Sequence, residues 1–228
     1  MNSNLQALKV EVVKVESGNN PRYCVIWLHG LGADGYDFVP VVKELEQMGV
    51  PPTRYIFPHA PKIPVSVNGG YVMPAWYDIK NSDLGRMEDE AGIRQSAACI
   101  EGLIQEQIQS GIPANRIVLA GFSQGGAITY HTGVRGKYTL AGLVCLSTYL
   151  PLDANLDAEY NPANAAVPVF AAHGTRDGMV PIARGEKAVS LLKGKGQQVE
   201  WHTYPMEHSV CGEEMEALAE FFKKVLVK

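Results

Sequence analysis

The chain has 228 residues, of which 46% are hydrophobic and 19% charged, and its formal net charge is −4. This composition is typical of a globular protein and argues against a disordered or fibrous one. The slightly acidic balance gives no electrostatic reason to expect binding to nucleic acid or to an anionic membrane surface. The length suits either one large α/β domain or two smaller ones.

The cysteines and the N-terminal segment bear on the cellular compartment. Cysteines at positions 24, 99, 145 and 211 lack the close paired spacing of a zinc site or a redox dithiol, so we expect buried free thiols. The first 20 residues contain neither a basic region followed by an apolar stretch nor a glycine after Met1. No apolar run approaches the roughly 20 residues that span a bilayer. We therefore predict a cytoplasmic protein with no stable membrane insertion.

Short apolar runs recur along the chain. The first, over residues 8–16, alternates apolar and charged residues, which is typical of a half-exposed edge strand. The second, YCVIWLHG from Tyr23, is unbroken and ends at a glycine, as expected of a strand covered on both faces. Five further runs are predicted to be strands: RYIFP from Arg54, RIVLAGF from Arg116, LAGLVCLS from Leu140, VPVFAAHG from Val167 and QQVEWHTYP from Gln197.

Helix-like segments separate these runs. They cover residues 37–48, 88–110, 124–134, 182–193 and 213–227. Strands that alternate with helices imply crossover connections, and hence a mostly parallel sheet with helices on both faces. Since no internal repeat or long linker interrupts the alternation, we predict a single α/β domain over residues 1–228.

One long irregular stretch does not fit the alternation. Residues 58–89 are rich in proline and glycine but also contain many apolar and aromatic side chains. Long loops of this kind are usually functional or disordered, and the aromatic content argues against disorder. We predict that residues 60–87 form a lid or groove wall.

The motif AGFSQGGA at residues 120–127 places Ser123 between Gly121 and Gly125 at the end of a predicted buried strand. Glycines there are also typical of a simple strand-to-helix turn. In the GxSxG elbow, however, the same turn projects a serine hydroxyl above the carboxyl ends of the strands. Serine is a poor nucleophile unless a neighbouring base accepts its proton. The sequence must therefore also supply a histidine and an acid.

Four histidines follow Ser123. His131 and His202 fall inside a predicted helix and a predicted strand, and His173 precedes a glycine at a strand end. His208 lies in the loop between the last strand and the last helix, where a side chain can reach the carboxyl edge of the sheet. We predict that His208 is the base.

The acid is expected between the serine and the histidine in this architecture. Asp177 follows the strand that ends near Ala172 and is the preferred candidate. Asp153 and Asp157 follow the preceding strand and remain alternatives. An Asp-Gly pair such as Asp177-Gly178 is also common in ordinary turns.

Acyl transfer further requires N–H donors for the developing oxyanion. The elbow supplies one from the residue after the serine, here Gln124. The second is expected from the loop after an earlier strand, where WLHGLGADG offers a glycine-rich turn. We predict that Leu31 N–H is this second donor.

Six motifs along the chain resemble those of one family. HGLGADGYDFVP, FPHAP, WYD, GFSQGGA, HGTRDGMVP and YPMEHS occur in order over nearly the whole chain and are similar to the carboxylesterase and acyl-protein thioesterase (lysophospholipase-like) family of α/β-hydrolases. The resemblance implies a serine hydrolase with an α/β-hydrolase fold that cleaves carboxylic esters and often thioesters. It implies Ser123, Asp177 and His208 as the catalytic triad, with Leu31 and Gln124 framing the oxyanion hole.

The resemblance also carries expectations about substrates. It implies an acyl-binding groove along the predicted lid loop, for which we name Ile63, Val65, Val72, Met73 and Trp76. The GLGADG loop is more like that of the bacterial carboxylesterases in the family, which favours small-molecule or lipid esters with short to medium acyl chains. Thioesters, lysophospholipids and acylated proteins are further substrate classes. The family chemistry needs no metal or organic cofactor, and we expect a monomer or weak homodimer.

Other functions are less well supported by the residues. A thiol nucleophile would require a cysteine at the elbow, and GLGADG is a poor match to a dinucleotide fingerprint. A hydrolase fold that serves as a ligand receptor or interaction module with negligible turnover remains the main alternative, because function belongs to the site and not to the scaffold.

Overall fold

The structure is a computed structural model that describes residues 10–81 and 87–227. Its strands in that part of the chain are β1 Val12–Glu16, β2 Tyr23–Leu28, β3 Thr53–Pro58, β4 Lys62–Val65, β5 Tyr71–Pro74, β6 Ile117–Phe122, β7 Gly142–Leu146, β8 Val169–Gly174 and β9 Val199–Tyr204. The helices are α1 Val41–Gln47, α2 Glu90–Gln109, α3 Gln124–Arg135, α4 Leu156–Glu159, α5 Ile182–Gly194 and α6 Gly212–Leu226. Short 3₁₀ turns cover Ser66–Asn68, Ala114–Arg116, Asp153–Asn155 and Pro162–Asn164.

Seven of the strands form one sheet in the order β1-β3-β2-β6-β7-β8-β9. Strand β1 is antiparallel to β3 at one edge, and the other pairings are parallel. The alternating side chains of β1 give it an alternating exposure, whereas those of β7 and β8 are buried throughout. Periodicity therefore identified both kinds of strand, and the prediction of a mostly parallel sheet is confirmed.

Apolar side chains cover the sheet on both faces. One layer packs α2, α3 and α5 against the sheet through residues such as Ile100, Ile128 and Leu192. The opposite layer packs α1 and α6 through residues such as Leu45 and Phe222. Side chains of successive strand residues point to opposite faces, which is why the unbroken apolar runs serve both layers.

Helix α1 is shorter than predicted, since it begins at Val41 instead of residue 37. Pro40 precedes it, and proline fits the start of a helix because it has no N–H to leave unpaired there. The free cysteines are buried at positions 24, 99 and 145 and half-buried at 211. Among the residues that the structure describes, no helix is long and apolar enough to cross a membrane.

The predicted lid loop contains a hairpin that periodicity missed. Strands β4 and β5 pair antiparallel, with Val65 opposite Tyr71. Each strand has only four residues, and each contains a proline, so neither shows a usable alternation. Gly69 and Gly70 close the turn with φ of 65° and 78°, which glycine adopts without strain. Residues 82–86 of the predicted loop lie outside the described residues.

Candidate active site

Four parallel strands bring the candidate residues to one edge of the sheet. Leu28 at the end of β2 is in register with Gly121 of β6, so the loop after β2 meets the elbow after β6. Gly174 at the end of β8 pairs with Tyr204 at the end of β9. The loops that follow these two strands carry the predicted acid and base. Strand register therefore places segments distant in sequence side by side at the carboxyl edge.

Ser123, His208 and Asp177 form a continuous hydrogen-bonded chain. His208 Nε2 lies 2.9 Å from Ser123 Oγ, and His208 Nδ1 lies 2.7 Å from Asp177 Oδ2. Because the carboxylate can only accept, Nδ1 carries the proton and Nε2 is left to accept the serine proton. The Phe122 ring packs against His208 with centroids 4.8 Å apart and restricts the imidazole. This is the arrangement that general-base activation of a serine requires.

The Asp177 carboxylate is held by its own loop. Its side chain is fully buried, and its Oδ1 accepts the backbone N–H groups of Met179 and Val180, each at 2.8 Å. The two alternative acids do not take this position. Asp153 pairs with Lys187, and the exposed Asp157 pairs with Lys195.

The remaining downstream histidines have structural environments. His131 is buried in α3, and burial lowers its pKa to about 3. His202 lies in β9 and stacks on Phe170 of β8. His173 is buried beneath the acid loop, where its Nε2–H donates to the Val180 carbonyl at 2.8 Å, and burial lowers its pKa. A neutral His173 therefore supports the loop that holds Asp177.

Backbone geometry at Ser123 is that of a sharp elbow. Its φ of 54° and ψ of −120° lie outside the ordinary allowed regions for a residue with a side chain. Ser123 N–H donates to Leu146 O at 2.9 Å, and its carbonyl accepts the Thr148 hydroxyl at 2.6 Å. These bonds to β7 and to the segment after it offset the strain.

The predicted oxyanion donors flank the same serine. Gln124 is the first residue of α3, so its N–H has no acceptor within the helix. Gly30 packs against the elbow, and a Cβ built on it would lie 3.4 Å from Ser123 Cβ. Leu31 follows in this loop and lines the same cavity as Ser123 and Gln124. Both residues thus border the cavity that Ser123 lines.

A cavity of about 510 Å³ opens at this point. Its walls combine the candidate catalytic residues with apolar and aromatic side chains from five segments: Leu31, Val67, Tyr77, Ile79, Phe122, Tyr149, Met179, Val180 and Pro181. The hydroxyl oxygens of Tyr77 and Tyr149 lie 2.7 Å apart, and burial raises the pKa of both phenols. The cavity is therefore largely apolar, with neutral phenols in its wall.

The residues predicted for the acyl-binding groove differ from those that line this cavity. The described lining of the cavity contains none of the predicted residues, which are Ile63, Val65, Val72, Met73 and Trp76. Val65 in β4 and Trp76 after β5 are buried, whereas Val72 is exposed on the outer side of the hairpin. The predicted segment does reach the cavity, but through Val67 at the hairpin turn and through Tyr77 and Ile79 after it. The register of the hairpin, which periodicity did not reveal, determines which side chains face the site.

The match to a family model covers residues 10–226, nearly the whole chain, and that model describes the phospholipase/carboxylesterase family. The chain belongs to the phospholipase/carboxylesterase family. It is therefore a serine hydrolase of carboxylic esters, and the earlier resemblance is confirmed.

Relatives in this family include named fungal enzymes. The chain is 44% identical to acyl-protein thioesterase 1 of Neurospora crassa over 90% of this chain and 87% of that protein. It is 38% identical to acyl-protein thioesterase 1 of Mycosarcoma maydis over 97% and 99% of the two chains. Among solved structures, Zea mays acyl-protein thioesterase 2 superposes with a TM-score of 0.82 at 28% identity, covering 96% and 100% of the chains. These identities do not support the finer expectation, from the GLGADG loop, of a bacterial type of carboxylesterase.

Sequence reasoning missed several residues at this phospholipase/carboxylesterase site. Val67, Ile79 and Met179 lie in irregular or hairpin segments whose side-chain directions no sequence period reports. His29 and His173 both precede a glycine at the end of a buried strand, and that shared His-Gly pattern was the available signal. Trp76 was predicted for the groove, but its indole N–H instead contacts the loop after β2, and its backbone N–H contacts the first residue of α3.

Proposed function

We propose that this protein hydrolyses acyl esters and thioesters through Ser123 as nucleophile, His208 as base and Asp177 as the acid that orients the base. The observation that carries the proposal is the hydrogen-bonded chain of 2.7 Å and 2.9 Å joining these residues at the mouth of the cavity. In the proposed reaction, His208 Nε2 takes the serine proton as Oγ attacks the acyl carbon. The same imidazole then protonates the leaving alcohol or thiol, and water hydrolyses the acyl-enzyme.

We propose that Leu31 and Gln124 stabilise the tetrahedral oxyanion through their backbone N–H groups. Preorganised donors of this kind commonly contribute several kcal/mol to transition-state stabilisation. The apolar walls of the cavity favour substrates whose acyl chain is of short to medium length. The names of the fungal relatives point to acylated proteins as one substrate class, which extends the proposal to thioesters. Cytoplasmic location and the monomer or weak homodimer state stay predictions.

The Ser123→Ala variant tests the assignment of the nucleophile. Wild-type protein is expected to hydrolyse both a nitrophenyl octanoate and an S-octanoyl peptide. The variant should hydrolyse each at no more than about one thousandth of the wild-type rate, because the triad residues act together and the loss of one removes most of their contribution to catalysis. A fluorophosphonate probe should label only the wild type. An unchanged thermal unfolding curve serves as the control for folding. Turnover by the variant near the wild-type rate would contradict the proposal.

A further inference from the structure

We propose that Trp76 is a positioning residue that, with His29, holds the two N–H donors of the oxyanion hole at a fixed separation. The inference rests on the proposed function, in which Leu31 and Gln124 supply those donors.

Trp76 bonds directly to both sides of the proposed oxyanion hole. Its indole Nε1–H donates to the carbonyl of His29 at 2.9 Å, in the loop after β2. Its backbone N–H donates to the side-chain Oε1 of Gln124 at 2.8 Å, at the start of α3. The side chain is 2% exposed, so these bonds are shielded from competing water. One buried residue thus connects the loop of the first donor to the residue that carries the second.

His29 holds the peptide that carries the first donor, and Ala33 N–H donates to the same Gly30 carbonyl at 3.3 Å. Its Nδ1 lies 2.7 Å from the Gly30 carbonyl, and since a carbonyl only accepts, Nδ1 is protonated. Its Nε2 then accepts Ala60 N–H at 3.0 Å, and burial lowers the pKa of the ring, which keeps this neutral tautomer. The Gly30–Leu31 peptide is trans, so its C=O and N–H point in opposite directions. Holding the Gly30 carbonyl toward His29 therefore turns Leu31 N–H away from it, toward the cavity that Leu31 lines.

Gln124 completes this hydrogen-bonded frame, which consists of Trp76, His29 and Gln124. Its Nε2 donates to the Tyr77 carbonyl at 2.7 Å while its Oε1 accepts from Trp76. The Ser96 hydroxyl donates to the Trp76 carbonyl, so each polar group of Trp76 has a partner. Gln124 itself is 2% exposed. The elbow residue that offers its N–H to the oxyanion is thus locked to the segment that carries Trp76.

Loosening this frame affects the transition state more than the bound substrate. The oxyanion exists only as the carbonyl is attacked, so displaced donors lower kcat while leaving most substrate contacts unchanged. Removing one such donor outright commonly costs roughly 100- to 1,000-fold in kcat. Because the frame repositions a donor without removing it, a smaller loss of about 10- to 30-fold is expected.

The test compares Trp76→Phe with a matched control, Trp27→Phe. The first variant keeps an aromatic ring but loses the indole N–H that bonds to His29. Trp27 is equally buried, at 1% exposed, but its Nε1 has no hydrogen-bond partner among the described residues, so its replacement removes packing alone. We expect Trp76→Phe to lower kcat by about tenfold or more, with KM changed less than about twofold, equally for acetyl and octanoyl esters. Affinity for a boronic acid, which forms a tetrahedral adduct on serine, should fall by a similar factor. Trp27→Phe should retain the wild-type values.

Two results would overturn the inference: wild-type kcat and boronic acid affinity in Trp76→Phe, or a loss confined to the long-chain ester, which would mark a groove residue. If Trp76→Phe does not fold, a second pair decides. In His29→Asn the amide nitrogen can replace Nδ1 as donor to Gly30, whereas in His29→Gln the longer side chain places its amide nearer the Nε2 position. A near-normal kcat in His29→Asn together with a reduced kcat in His29→Gln supports the inference. Equal kcat values in the two variants overturn it. Turnover by Ser123→Ala would instead contradict the proposed function itself.

Discussion

At the scale of single residues, the site depends on glycines beside Ser123 as much as on the catalytic side chains. Ser123 adopts its positive φ only because the backbone on either side can approach other segments closely. A Cβ at Gly121 would lie 2.4 Å from the carbonyl of Gly125, and a Cβ at Gly125 would lie 2.4 Å from the carbonyl oxygen of Leu28. The glycines of GxSxG are therefore a packing requirement of the turn that exposes the serine hydroxyl.

Gly125→Ala should destabilise the protein by at least about 3 kcal/mol, because the added methyl overlaps backbone atoms that cannot move independently. Gly102→Ala is the matched control, since it is also a helix position but a Cβ there meets nothing within 4 Å. The control should stabilise by about 0.5–1 kcal/mol, as alanine favours helix over glycine. Urea unfolding measures both. Equal stabilities for the two variants would refute the packing explanation of the motif.

At the scale of elements, the β4–β5 hairpin connects the sheet edge to the cavity. Asp78 holds its turn, since its carboxylate accepts the Ser66 backbone N–H at 2.7 Å and the Ser66 hydroxyl at 2.6 Å. Val67 N–H also donates to the Ile79 carbonyl at 2.8 Å. These bonds place Val67 in the cavity wall while leaving Val72 on the outer side of the hairpin. The hairpin register, set by the paired glycines of the turn, therefore determines which valine can touch an acyl chain.

Val67→Ala should lower kcat/KM for a nitrophenyl octanoate by about fivefold while leaving the acetate ester unchanged. The reason is that each buried methylene contributes roughly 0.8 kcal/mol, or about fourfold in rate, and truncation removes part of the wall that a longer chain contacts. Val72→Ala, on the same hairpin but outside the cavity, should match the wild type across the ester series. A uniform loss at every chain length in Val67→Ala would mean that the residue supports the fold and not the substrate.

At the scale of the whole molecule, the layer in which α6 packs against the sheet contains a buried carboxyl group. Glu214 is fully buried near the start of α6, and burial raises its pKa to about 8 from an ordinary value of 4.5. In the unfolded chain this carboxyl loses its proton near its ordinary value, so the folded state holds more protons between these two values. Stability therefore falls as pH rises through that window, and it is highest below it.

Glu214→Gln should remove this dependence, because glutamine has a similar shape and does not titrate. The free energy of unfolding of the wild type is expected to fall relative to the variant between pH 5 and 8, by at most about 1.4 kcal/mol per pH unit. Urea unfolding at several pH values gives the difference directly. Glu213→Gln, at the exposed neighbouring position, should keep the wild-type slope. Parallel slopes for wild type and Glu214→Gln would show that the carboxyl titrates normally in the folded protein.

By itself, the sequence determined the layered α/β architecture, because the two periodicities of buried strands and amphipathic helices are local properties of the chain. It also pointed to Ser123, His208 and Asp177, since the order of loops after parallel strands restricts which residues reach one edge of the sheet. Chain order could rank Asp177 above Asp153 without excluding the latter. The lysine partner of Asp153 became visible only in three dimensions.

Only the tertiary structure decided which hairpin side chains line the cavity and what Trp76 does. Val67 and Val72 are alike in sequence, and by sequence Trp76 is one more apolar residue of the same loop. Their roles depend on strand register and on hydrogen bonds between segments far apart in the chain, such as those from Trp76 to His29 and Gln124. Long-range bonds of this kind form between groups that every peptide and many side chains carry, so no local pattern of residues identifies their partners.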